Sequence, residues 1–152
     1  MSSAEEEYLD ELRRLEAKMC NDYKHDDGGR SKTRTGLTGD CAVRALAIVA
    51  GMDYEEAYKL CRQNGFKARS GMMRKDYNRV LESLGYVWVP EQAAKGRQRL
   101  KLHEVYVTCI ARVSKHYVAV VDGVVLDNHD SRRIERAGRC VYGRWVKNKA
   151  CT

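Results

Sequence analysis

Apolar residues recur along this chain first at helical and then at strand spacing. Tyr8, Leu12, Leu15 and Met19 stand at i, i+4, i+7 and i+11, behind a Ser3/Glu6 pair with capping-box spacing, which predicts an amphipathic helix over about residues 4–19. Residues 21–39 are polar and glycine-containing with no apolar period, so they read as a loop that delivers the chain to Asp40. Cys41, Ala42 and the run 45–50 then form a small-residue helix too apolar to be exposed, with Asp40 placed to cap it and Gly51 to end it. A second helix is expected from Asp53, in capping-box spacing with Glu56, carrying Ala57, Leu60 and Cys61 inward before Gly65. A third is expected over about residues 72–84, closed by Gly85.

After Gly85 the period changes to two. Residues 86–89 read as a strand, and beyond a basic loop (95–101) so do VYVTCIARV, HYVAVV, VVLD and CVYGRWV. Helices come first and strands second, and Asp122-Gly123 marks a tight type I′ hairpin. The expected class is therefore α+β with a C-terminal antiparallel sheet, not a doubly wound parallel one.

With 152 residues and 43% hydrophobic content, the chain is long enough for one core, which predicts a single catalytic-type domain at 38–152 preceded by a helix and polar loop at 1–37. No stretch approaches the roughly 20 apolar residues that span a bilayer. Residues 1–7 are acidic where a signal peptide would be basic, and a soluble, cytoplasmic protein is expected. The six cysteines show neither Cys-x-x-Cys nor zinc-finger spacing, so neither a metal nor another cofactor is expected. Cys61 and Cys109 fall inside apolar patterns and read as reduced, buried thiols.

Charge is unevenly distributed. The net +7 combines residues 1–27, where nine acids oppose four bases (−5), with a remainder of 24 bases against twelve acids (+12). The basic loop 95–101 and Arg132, Arg133, Arg136, Arg139 and Arg144 offer phosphate contacts, with Tyr142 or Trp145 for stacking. No nucleic-acid motif accompanies them, and a solvated basic face with aromatics turned inward is the favoured reading. Tyr86, Trp88, Tyr106 and Tyr117 read as core residues of strands.

The chemistry-bearing pattern begins at Cys41, the first residue of its helix. There the helix dipole and free N–H groups favour a thiolate and offer donors to an oxyanion. In the hairpin a two-residue turn pairs Val121 with Val124 and Val120 with Val125, and Val118 with Asp127 in continuation. His116, Val118, Val120, Val125 and Asp127 then share a face, with Asp127 diagonal to His116 and able to orient its ring toward a thiol. Asn128 and Asp130 are the rival partners for a register slipped by one. His129 falls on the opposite face or past the strand, His103 in the basic region and His25 in the polar loop, none with a comparable partner.

On these residues, Gly39-Asp40-Cys41 with Arg44, Ala45 and Ala47, and the His116 to Gly123 hairpin, the chain resembles the papain-like cysteine peptidase superfamily over about residues 38–146. It is similar in particular to bacteriocin-processing peptidases and to small phage-encoded papain-like proteins. The resemblance implies a papain-like fold with Cys41 as nucleophile, His116 as general base and acid, and Asp127 as the orienting residue. It implies hydrolysis of a peptide or isopeptide bond in a peptide or protein substrate, in a host cytoplasm if the protein is viral. The oxyanion-hole glutamine of such enzymes has no counterpart, since no Gln or Asn lies between Asn21 and Cys41; Thr35 and Thr38 are the substitutes available. A thiol acyltransferase or deamidase would use the same three residues. An inert papain-like module that binds a host protein stands as the non-catalytic alternative.

Overall fold

The computed structural model describes residues 4–6, 20–34, 39–91 and 100–148. Most of the amphipathic helix expected over residues 4–19, together with Thr35, Thr38 and most of the basic loop 95–101, lies outside the described residues.

Three ten-residue helices carry the expected small and apolar faces inward: α1 (Cys41–Ala50), α2 (Tyr54–Gln63) and α3 (Arg74–Ser83). Gly51 ends α1 in the left-handed conformation (φ 67°), which glycine adopts without steric cost. Asp40 and Asp53 occupy the N-cap positions foreseen for them, but neither side chain caps its helix and the Asp53/Glu56 box does not form. The Asp40 carboxylate has stronger partners elsewhere.

Six strands form one sheet in the order β1-β5-β4-β3-β6-β2: β1 (Asp22–His25), β2 (Tyr86–Pro90), β3 (Cys109–Val113), β4 (His116–Val121), β5 (Val124–Asp127) and β6 (Gly143–Lys147). The class is α+β, and two expectations need correction. Residues 22–25, expected as loop, form edge strand β1; it pairs parallel to β5, so the sheet is mixed and not wholly antiparallel. Four polar residues carry no strand period, but an open edge of backbone donors and acceptors suffices to recruit them. The apolar run at 105–108 is not strand: Leu102–Glu104 is a 3-10 turn, and β3 begins only at Cys109.

Alternation divides the sheet into two packed faces. Ile110, Tyr117, Ala119 and Trp145 meet the helices through Val43, Leu46, Tyr77 and Leu81. Cys109, Ala111, Val113, Val118, Val120 and Val125 form a second core with Leu102, Val105 and Val141. Trp145 is thus a buried core residue, while Tyr142 is exposed. Gly143 allows close approach of strands β2 and β6, because a Cβ there would lie 2.3 Å from the Trp88 ring. Asn21 ties the N-terminal segment to the second core through Nδ2–H bonds to the carbonyls of Leu102 (2.8 Å) and Val105 (2.7 Å). Among the described residues, no helix is long and apolar enough to cross a membrane.

Candidate active site

The β4–β5 hairpin forms in the expected register, with Val121 opposite Val124 and Val120 opposite Val125. Asp122 (φ 48°) and Gly123 (φ 77°) turn the chain with both residues left-handed, as a type I′ turn requires. His116 opens β4 and Asp127 closes β5, so the two meet at the end of the hairpin away from the turn. There His116 Nε2 lies 2.7 Å from Asp127 Oδ2. With Nε2 engaged by the carboxylate, Nδ1 is the ring nitrogen left for a thiol.

Cys41 reaches the same point from the helical layer. Helix α1 crosses β4, and its N-terminus brings the Cys41 side chain into hydrogen bonding with the side chain of His116 and the backbone N–H of Tyr117. Val118 and Val120, which share the His116 face by alternation, pack into the second core. His116, the first residue of the strand, instead meets Cys41 of the helical layer.

Electrostatics favour a charged pair. Burial alone would raise the Cys41 thiol, but the hydrogen bond and charge of His116 and the Tyr117 N–H bring it below its ordinary value. Burial would likewise lower His116, yet its bonds to Asp127 and Cys41 raise it to about 9. Asp127 is held below the usual carboxylate range: its own burial opposes this, and the bond to His116 and the Asn128 N–H overcome it. Cys61 and Cys109 behave oppositely: burial pushes both to about 12, and at Cys109 the charge of Arg144 does not overcome it.

Asp40 and Arg44 join this site from beneath. Asp40, fully buried, accepts from the Tyr54 hydroxyl (2.7 Å), pairs with Arg30 at 3.3 Å and bonds Arg44 one helical turn on. Arg44 in turn lies 3.6 Å from Asp127 Oδ1. A chain of alternating charge thus links the start of α1 to the end of β5. Because the Asp40 carboxylate is drawn into this cluster, it leaves the first-turn N–H groups of α1 uncapped beside the thiol.

Among the remaining candidates, Asp130 pairs with Arg132 (2.9 Å) and the Asn128 side chain bonds His129, so neither displaces Asp127. His25 lies on β1 as the lateral neighbour of Asp127, and His103 lies in the 3-10 turn. His129 sits past the end of β5, as one of the expected placements had it, but beside the site: its ring centroid is 5.5 Å from that of His116. His116, Asp127 and His129 offer ligand atoms within 4.8 Å of one another, a spacing open to a metal ion. The 2.7 Å contact between Nε2 and Oδ2 fits a shared proton instead. From sequence, Arg44 stands only as part of the helix motif and His129 as a histidine without a comparable partner; the i+4 spacing of Arg44 from Asp40 is the signal that marks its ion pair.

Compared with known family models, curated proteins and solved structures, the chain matches none.

Proposed function

We propose that the protein is a cysteine-dependent hydrolase of papain-like type, acting on a peptide or isopeptide bond. The observation that carries this reading is the hydrogen-bonded series Cys41–His116–Asp127 at a helix N-terminus, with the thiol lowered and the imidazole raised. The Cys41 thiolate attacks the substrate carbonyl carbon, and the developing oxyanion accepts from first-turn N–H groups including that of Cys41. As the acyl–nitrogen bond breaks, His116 gives its Nδ1 proton to the leaving amine. Water then attacks the thioester, losing a proton to His116 and returning free Cys41 with a carboxylic acid product. Asp127 holds the ring in the orientation both proton transfers need. An amine or ammonia-releasing side-chain amide in place of these reactants would make the same residues an acyltransferase or a deamidase.

Mass-mapped alkylation with limiting iodoacetamide from pH 5 to 9 tests the reading. Cys41 is expected to react ahead of Cys20, with an apparent pKa below its ordinary 9.0, while Cys61 and Cys109 stay unmodified. His116→Ala is expected to slow Cys41 at pH 7 by roughly tenfold or more, since removing the imidazolium returns the thiol toward its protonated form. Labelling of Cys41 no faster than Cys20, and unmoved by His116→Ala, would favour the inert binding module.

A further inference from the structure

Beside His116 the surface opens into a cleft of about 440 Å³ lined by Ser114, Lys115, His116, His129, Arg133 and Arg139. His116 belongs both to this cleft and to the hydrogen-bonded series, so whatever occupies the cleft lies against the histidine that acts on Cys41.

Lys115, Arg133 and Arg139 give the lining of the cleft charges of one sign. Arg132 and Arg144, from the same C-terminal group of arginines, are paired with Asp130 and Glu91. Lys115 and Arg133, by contrast, form no ion pair among the described residues. Arg139 donates to the Ser114 carbonyl (2.7 Å), but its Nε is buried with no hydrogen-bond partner. Its guanidinium pKa is depressed by burial and by the nearby charge of Arg133, which the more weakly acting Asp127 and Cys41 offset only in part.

Backbone conformation adds an independent argument. Lys115 (φ 55°) turns the β3–β4 hairpin and Arg133 (φ 52°) precedes the 3-10 turn Ile134–Arg136, both in the left-handed region that glycine fills without strain. Two long cationic side chains thus stand on one cleft at positions where the backbone favours glycine. Strain retained in this way concentrates at functional sites.

We infer that this cleft is a substrate subsite for a carboxylate, selecting an acidic peptide whose anionic group lies beside the carbonyl that Cys41 attacks. The inference rests on the reading of Cys41 as nucleophile. The carboxylate comes either from an Asp or Glu side chain or from a free chain terminus.

The test compares alkylation of Cys41 by anionic iodoacetate and neutral iodoacetamide, each normalised to a neutral cysteine peptide in solution. The normalised iodoacetate preference is expected to be about fivefold or more at low salt and to shrink as salt screens the cleft. Lys115→Gly with Arg133→Gly, which relieves both left-handed residues while removing two charges, is expected to abolish the preference in a protein that still folds. A preference of one, unmoved by salt or by these substitutions, overturns the inference while leaving a fast iodoacetamide reaction, and so the nucleophile, intact. Slow reaction with both reagents removes nucleophile and subsite together. As competitors of labelling, a C-terminally amidated Asp/Glu peptide and a neutral peptide with a free carboxylate distinguish the two sources. Protection by one names it, and protection by neither counts against the subsite.

Discussion

At the scale of single residues, three groups shift one another. Asp127 and Cys41 together hold the proton on His116 up to about 9, and that proton in turn lowers Cys41. The charged pair is therefore present between the lowered thiol pKa and about pH 9. Following the His116 ring protons by NMR is expected to show titration near 9 in the wild type and a downward move in Asp127→Asn; a wild-type midpoint at the ordinary 6.5 would dismiss the pair. Stability carries the same signature. The folded pKa of His116 exceeds the ordinary 6.5, so its contribution is complete below pH 6.5 and lost as pH rises through about 9. That of Asp127 is depressed below 3.8, so its contribution is present above 3.8 and lost as pH falls through the lowered value. Urea midpoints across pH are expected to fall toward both limits, and His116→Ala to flatten the alkaline side.

At the scale of elements, the decisive feature is how α1 is fastened to the hairpin. Its small residues let the helix lie close on β4, and Arg44 spans the junction by bonding Asp40 and approaching Asp127. Both carboxylates are buried, so removing the cation takes a charge partner from each in a low-dielectric setting, leaving Asp40 with Arg30 and Asp127 with His116. Arg44→Met is accordingly expected to destabilise the fold by about 3–5 kcal/mol in denaturant titration. Arg44→Lys, which keeps the charge but not the fork that reaches two carboxylates, should recover only part of this. A loss under about 1 kcal/mol would show that the cluster does not fasten the helix.

At the scale of the molecule, the sheet is completed from the N-terminal side. Strand β1 covers the edge of β5 that ends in Asp127, and Asn21 anchors the approach to it. Asn21→Ala removes a donor from the Val105 carbonyl and leaves the Leu102 carbonyl with the Val105 N–H, a loss of about 1–3 kcal/mol. Hydrogen exchange is expected to quicken first along β1 and β5, and uniform exchange behaviour across the sheet would argue against this anchoring. The acidic balance of residues 1–27 does not prevent residues 22–25 from joining the basic remainder, because the joining is done by backbone groups.

Periodicity and turn chemistry determined the three helices, the strands from residue 109 onward and the hairpin register, because each is decided within about ten residues of sequence. That register was enough to place His116 beside Asp127 and to single out Cys41 at a helix start. Local sequence could not show that α1 crosses β4 with its N-terminus level with His116, which depends on the helix–sheet packing. Nor could it show that Asp40 is withdrawn from capping into a buried cluster, since Arg30 and Tyr54 reach it from outside its own helix, from the segment before it and the helix after it. Strand β1 was hidden for the same reason: its side chains are mostly exposed, and only a neighbouring open sheet edge makes that polar segment a strand. The cationic cleft likewise exists only because the β3–β4 turn and the chain after β5 converge beside one histidine.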